Sequence, residues 1–274
     1  MKHEKLMTLL WSCVLSFLLS FGAVACVVSG FSMMVDLGDL REGFWNRDEF
    51  VSACVYVEKN LPHVHLAGIG VNLGCYGSIQ PTPDKMNNLL TIAHHVEARI
   101  GRSLEVISGG ASSSYTLVHW GTMPEGINHL RLGGSIANPM NIRLGRGLTF
   151  PGLREDSLRL TAEIVEIHEK ASAPKGQSTK NWAGETVTRE DKGRRWRAIL
   201  ALGSQDVGDA GTLIPVDDGV EIVGCSSDHT IVDVTDSGRV WKTGDTLIFK
   251  TRYANMLYAF SGKHMDVTYV YDAE

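Results

Sequence analysis

No two cysteines in this sequence are spaced as CxxC, and the five present (Cys13, Cys26, Cys54, Cys75 and Cys225) are scattered and odd in number. That excludes a disulfide framework and a zinc-finger pattern. Cys54 and Cys75 sit among apolar neighbours and read as core thiols. An excess of basic charge is missing too: 26 Lys and Arg against 31 Asp and Glu leave a net charge of −5, so no electrostatic footprint of a nucleic-acid partner is present. The one basic cluster, at 192–197, precedes an apolar run and reads as a solvated strand end. Internal repeats and low-complexity tracts are absent. The 43% hydrophobic content suits one or two domains with a true core.

Charge is also absent from residues 6–30. MKHEK is followed by LMTLLWSCVLSFLLSFGAVACVVSG. A charged start, an apolar middle and the small triplet Ala23-Val-Ala25 fit a signal peptide. The run is equally long enough for one membrane helix, and a start not native to the fold behind it is a third reading. Membrane contact is expected through residues 6–30 alone.

From residue 33 the chain alternates between strand and helix patterns. A short apolar run at 33–37 precedes Asn46, which can cap a helix with Phe50, Ala53, Cys54 and Val57 on one face. A strand at 65–71 follows. Thr82-Pro83 opens a longer helix carrying Met86, Leu89, Leu90, Ala93, Val96 and Ile100, closed by Gly101. A strand at 104–108, a turn at Gly109-Gly110, a helix at 112–120 and a strand at 127–132 complete the series. Such βα alternation with short links predicts a parallel sheet covered by helices. After about residue 154 strand patterns run on without a helix-length one, which predicts an all-β domain. The expected organisation is a leader at 1–32, a partial (β/α) barrel at 33–153 and a β-domain at 154–274. The histidines at 63, 65, 94 and 95 read as solvated or capping groups.

Chemistry in parallel sheets gathers at the C-terminal ends of the strands. Those ends carry Arg41, Asn72, the Gly109-Gly110 pair with Ser112, Ser113 and Ser114, and Arg131 followed by Gly133 and Gly134. Two arginines, an amide and two glycine-rich cradles at one sheet mouth suit an anionic, phosphorylated ligand.

The motifs MVDLGDLREGFW, LAGIGVNLGCYG, EVISGGASSSY, GINHLRLGGSI, AILALGSQDV and GCSSDHTIVDVTD resemble the alanine/ornithine racemase group of fold-type III pyridoxal-phosphate enzymes, with ornithine racemase-like members most similar. The resemblance implies a TIM-like barrel followed by a β-domain, a cytoplasmic homodimer, and Cα proton exchange on a small amino-acid substrate through an imine of pyridoxal 5'-phosphate. By the same resemblance Ser112, with Ser113 or Ser114, holds the cofactor phosphate together with Gly133, Gly134 and Tyr253. Arg131 faces the pyridine nitrogen, and a guanidinium there leaves that nitrogen unprotonated. Arg41 lies near the ring's phenolic oxygen or the substrate carboxylate, and Asn72 stands beside the ring. Asp228 projects toward the partner's substrate pocket.

Two departures bear on activity. Ser204 stands where alanine racemases have a catalytic tyrosine, which leaves Asp206 as the candidate second acid/base. The family's Schiff-base lysine lies upstream of the MVDLGDLREG segment, and Lys2 and Lys5 lack the surrounding motif, so the first barrel strands are expected to be missing. Two alternatives stand beside the racemase: a catalytically inactive truncated homologue that binds a phosphorylated ligand or a partner chain, and a metal-assisted lyase or aldolase of the same fold type using Cys225 and His229.

Overall fold

The computed structural model describes residues 30–149, 152–177, 179–181, 183–184 and 186–270. The apolar stretch read as a leader lies outside the described residues up to position 29. The chain divides into two compact units, one ending at Gly133 and the other beginning at Gly134.

The first unit is a four-stranded parallel sheet in the order β1 (Phe31–Met34), β2 (Leu66–Gly70), β3 (Val106–Ala111) and β4 (His129–Arg131). Ile69 is central, pairing with Met33 on one side and Ile107 on the other. Two amphipathic helices cover one face. In α1 (Arg47–Asn60) the Asn46 side chain accepts from the backbone N–H of Asp48 and Glu49, while Phe50, Ala53, Cys54 and Val57 are buried at spacings of three and four. In α2 (Pro83–Ile100), Thr82 caps the start, Gly101 closes the end at φ +82°, and Met86, Leu89, Ile92, Ala93 and Val96 are buried. These side chains join Val35, Leu66, Ile69 and Val71 in one core. At 1.5–3 kcal/mol for each large side chain, that core dominates the unit's stability.

Glycine decides how closely the strands approach. A Cβ on Gly68 would stand 1.8 Å from the Val106 carbonyl oxygen. The expected turn at Gly109-Gly110 lies inside β3 as a bulge: Ser108 opposes His129, yet Ala111 already opposes Arg131. Gly110 takes φ +116° there, a conformation glycine adopts at little cost. Ser112–Ser114 then forms one 3₁₀ turn before a five-residue helix, α3 (Tyr115–His119), rather than a single helix over 112–120.

The second unit opens with α4 (Gly134–Ala137) and α5 (Met140–Arg146). Six antiparallel strands follow: β5 (Leu160–Ala171), β6 (Arg194–Leu200), β7 (Ile214–Pro215), β8 (Glu221–Cys225), β9 (Thr230–Asp233) and β10 (Thr246–Lys250), in the order β7-β10-β5-β6-β9-β8. Leu160, Ala162 and Ile164 alternate inward along β5, packing with Leu200, Val232 and Phe249. The sequence put the boundary at 153/154, but 134–146 fall in the second unit, where Asn138 Nδ2 donates 2.7 Å to the Thr251 carbonyl just past β10. The expectation of an all-β domain needs a second correction. Short α6 (Ser204–Val207) and nine-residue α7 (Tyr253–Ser261) also belong to it. α7 shows no polar face, since Leu257, Tyr258 and Phe260 are exposed. It is fixed instead by buried Asn255, whose Nδ2 donates to the carbonyls of Val207 (2.9 Å) and Asp209 (3.0 Å).

Candidate functional site

The C-terminal ends of the four parallel strands bring most of the singled-out residues of the first unit together. Arg131 ends β4 and lays its guanidinium across the sheet. Nη1 donates to Ser108 Oγ at 3.2 Å, and Nη2 donates to the Val71 carbonyl at 3.2 Å. Asn72 Oδ1 lies 3.5 Å from the same Nη2. Gly70 leaves the space: a Cβ there would be 3.5 Å from Arg131 Nη1 and 3.1 Å from Ser108 Cβ. Protein packed around the guanidinium lowers its pKa from the usual arginine value, with Glu42 opposing. The side chain keeps an exposed side.

Asn72 is buried, and because an arginine can only donate, its oxygen is the atom turned toward Arg131. Its Nδ2 is left buried and without a hydrogen-bond partner among the described residues. A buried amide donor with no acceptor is costly, and a ring or phenolic oxygen seated above the sheet would satisfy it.

The three serines divide their work. Ser112 Oγ accepts the Gly133 N–H at 3.3 Å, and a Cβ on Gly133 would meet nothing within 4 Å, so a hydroxyl and a backbone amide stand beside open space. Ser113 Oγ donates to the Leu73 carbonyl at 2.6 Å. Ser114 is fully buried, its hydroxyl against Gly110. Arg41 pairs with Glu42 at 3.2 Å and is half exposed. It follows Leu40, which takes φ +57° in a loop braced by Asp36 Oδ1, an acceptor for the Gly38 (2.7 Å) and Leu40 (3.2 Å) N–H groups.

Sequence reasoning missed Asp39 in that loop. It is 1% exposed, and its carboxylate accepts the backbone N–H groups of Gly74 (3.0 Å), Cys75 (3.2 Å), Tyr76 (3.0 Å) and Ile79 (3.2 Å). Burial alone would raise its pKa, but the four donors prevail and hold the carboxyl below the usual range. The loop after β1 thereby clamps the loop after β2, next to Asn72. Sequence offers only the repeated Asp of DLGDL as a signal, and that pattern does not reveal which aspartate turns inward.

In the second unit, Asp228 is exposed and accepts from Ser227 Oγ (3.0 Å) and Ser226 Oγ (3.2 Å), which hold its pKa down. Its other oxygen lies 3.2 Å from His229 Nδ1. Asp206 is buried and accepts the Gly203 N–H at 2.8 Å, a capping role in α6. Ser204 Oγ meets Cys225 Sγ at 3.1 Å. Among the described residues no three His, Cys, Asp or Glu side chains converge as a metal site. Gly134 begins α4, and Tyr253 begins α7, its N–H donating to Asn141 Oδ1 at 3.1 Å.

No family model matches the chain. It is 40% identical over 234 residues to an ornithine racemase of Acetoanaerobium sticklandii, covering 85% of this chain and 65% of that protein. It is 39% identical over 238 residues to a lysine racemase of Thermotoga maritima, covering 86% of this chain and 64% of that one. The chain thus spans just under two thirds of the length of these relatives. Among solved structures, an alanine racemase from Bacillus anthracis superposes with a TM-score of 0.52 at 19% identity, over 81% of this chain and 55% of that one, a likeness of fold that implies a TIM-like barrel followed by a β-domain. The parallel sheet, the antiparallel unit that follows it in sequence and the two curated relatives agree: the chain belongs to the alanine/ornithine racemase family of fold-type III pyridoxal-phosphate enzymes.

Proposed function

We propose that this chain carries the cofactor-holding part of a pyridoxal-phosphate-dependent amino-acid racemase acting on ornithine or a similar amino acid. The observation that carries the reading is the Arg131–Asn72 pair: a guanidinium fixed across the sheet mouth beside a buried amide donor that lacks an acceptor. Ser112 Oγ, whose oxygen takes the Gly133 N–H, suits a phosphate oxygen as a donor, and the family resemblance adds Gly133, Gly134 and Tyr253 as phosphate contacts. Ser113 and Ser114 serve the fold around them, since one hydroxyl is spent on Leu73 and the other is enclosed.

When bound, the cofactor supplies an electron sink that acidifies the Cα proton of an amino acid. The residues of this chain then do the rest. Arg131 keeps its own proton and directs an N–H at the ring nitrogen, which limits the sink and favours plain proton exchange over side reactions. Asn72 Nδ2 donates to the ring's edge. Arg41 offers a cation to the phenolic oxygen or to a substrate carboxylate. Asp228, kept ionised by two serine hydroxyls, suits a substrate ammonium in the partner's pocket of a homodimer. Asp206 does not fit the second acid/base, because its buried carboxylate is committed to the Gly203 N–H. The same reading gives a cytoplasmic enzyme.

The test is a titration with pyridoxal phosphate followed by absorbance, then borohydride reduction and peptide mapping. Saturable binding weakened about tenfold or more by Ser112→Ala or Arg131→Ala, one charge-assisted contact being worth about 1.5–3 kcal/mol, supports the site. A single labelled lysine, with interconversion of L- and D-ornithine, supports the racemase. Tight binding with no labelled lysine and no interconversion marks a binding homologue instead. Absence of saturable binding overturns both.

A further inference from the structure

Arg131 is held by a hydroxyl that is itself held. Ser108 Oγ is 3.2 Å from Arg131 Nη1 and 3.0 Å from His129 Nδ1. Ser108 and His129 are cross-strand partners in β3 and β4, and His129 and Arg131, two apart on β4, share one face of the sheet. Ser108 is 1% exposed, so its single proton and two lone pairs are served from within the protein.

Counting donors fixes the arrangement. Arginine has only N–H groups to give, so the Ser108 oxygen accepts from Arg131. The hydroxyl proton then has one acceptor in reach among the described residues, His129 Nδ1. A neutral imidazole accepts at one nitrogen and donates at the other, which places the ring proton on Nε2. Were it on Nδ1, the Ser108 oxygen would accept twice and its buried proton would have no acceptor. A hydroxyl that donates is also a better acceptor, since bonds in a chain polarise one another.

We propose that His129, as the tautomer with Nδ1 bare, is a positioning residue: through Ser108 it fixes the guanidinium of Arg131 in the plane that meets the cofactor ring. The serine and the histidine act through the guanidinium. The Gly109-Gly110 bulge lies between the two cross-strand pairs. By inserting a residue into β3 it keeps Ser108 opposite His129 while Arg131 pairs one position further on, with Ala111. The proposal rests on the reading of Arg131 as the ring-facing group. The relay itself exists without any ligand and is measurable without one.

The experiment has two arms on the full chain. In the first, nitrogen NMR at about pH 8, where an ordinary imidazole is neutral, assigns the His129 tautomer in the ligand-free protein. Protonated Nε2 is expected, and protonated Nδ1 overturns the relay. The second arm measures binding and absorption spectrum with pyridoxal phosphate. His129→Leu should weaken binding by roughly 3- to 10-fold and shift the spectrum, the worth of about one neutral hydrogen bond. His129→Gln, whose amide oxygen can take the Ser108 proton, should restore both to within about twofold. Equal loss in the two variants, or no loss in His129→Leu, overturns the proposal. If the unaltered chain binds no pyridoxal phosphate, the cofactor reading fails. The Arg131 Nε–H resonance then decides the relay alone: it should move in His129→Leu and return in His129→Gln, and a resonance unmoved in His129→Leu overturns the relay.

Discussion

The carboxylate of Asp39 and the backbone N–H of Ile79, forty residues apart in sequence, are hydrogen-bonded at 3.2 Å. With Gly74, Cys75 and Tyr76 on the same carboxylate, this bond ties the loop after β1 to the loop after β2. Asn72, the amide beside Arg131, stands at the start of the tied segment. The loop's residues are largely exposed, so its course is set by this one buried carboxylate, which gathers four of its backbone donors. Asp39→Ala should cost on the order of 1.5–3 kcal/mol, the worth of hydrogen bonds to a charged group, since water can reach the loop's freed donors. Chemical denaturation measures it, and a loss below about 0.5 kcal/mol would show the loop to be held by other means.

The same clamp sets an acid sensitivity. Asp39 titrates lower in the folded protein than its ordinary value of 3.8, so the unfolded chain binds its proton more readily. The stabilisation is therefore complete above the ordinary value and is lost as pH falls toward the folded one. Asp39→Asn cannot titrate, so the difference in stability between it and the unaltered protein should shrink on acidification below about pH 4. A difference independent of pH through that range would contradict the assignment.

Strand spacing makes a sharper prediction. At Gly68 a methyl group would sit 1.8 Å from the Val106 carbonyl oxygen, and a backbone atom between two paired strands cannot step aside. Gly68→Ala should lose roughly 3 kcal/mol or more. At Gly70 the nearest atom to an added Cβ is Ser108 Cβ at 3.1 Å, with Arg131 Nη1 at 3.5 Å. Gly70→Ala should therefore fold, pressing on Ser108 and on Met34 Sδ (3.2 Å) and reaching Arg131 and cofactor affinity through Ser108. Melting curves of the two variants separate the cases, and similar losses in both would refute the distinction.

The two cysteines read alike from sequence behave differently. Cys54 is enclosed on α1 with its sulfur 3.7 Å from Met33 Sδ, and burial pushes its thiol up to about 12. Cys75, though flanked by apolar residues, lies exposed in the loop held by Asp39. At about pH 8 the Cys54 thiolate amounts to roughly one part in ten thousand. A thiol reagent applied to the native protein should label Cys75 and spare Cys54 until the chain is unfolded, with peptide masses as the readout. Prompt labelling of Cys54 would show that the first unit opens readily.

What the sequence made legible was what repeats locally. The caps at Asn46 and Thr82, the stop at Gly101 and the apolar faces of α1 and α2 lie within a turn or two of each other, so period and punctuation sufficed. The Gly109-Gly110 bulge looks like a turn in one dimension, because only the register with β4 distinguishes the two. α7 was hidden for a different reason: apolar residues surround it on most sides, and its anchor, Asn255, reaches carbonyls nearly fifty positions earlier. At the site, Arg131, Asn72 and Ser112 were visible as strand-end chemistry. Asp39 and Ser108 fell within the strand ends but carried no role, and His129 was not singled out, since their meaning lies in partners on neighbouring strands and loops.

The basic cluster that opens β6 offers the last prediction. A solvated strand end was expected there, yet Arg195 Nε is 2.9 Å from Asp233 Oδ2 and Arg197 Nε is 3.6 Å from the same oxygen. Asp236 also pairs with Arg195. Asp233 is buried on β9, where burial would raise its pKa but Arg195 and Thr235 together hold it down. Strand pairing creates the contact, for Arg197 lies directly opposite Asp233 in the ladder. Removing the one shared carboxylate leaves two guanidinium groups facing each other in a partly closed site. Asp233→Ala should therefore cost on the order of 3–5 kcal/mol, the range for breaking a buried pair. Replacing all three residues with apolar ones of similar size should recover most of that loss, because an apolar cluster needs no desolvation of charge. Denaturant melts of the single and triple variants test this. A triple variant no more stable than Asp233→Ala would mean that the pairs stabilise the unit in their own right, and the ladder of charges would then count as part of its core.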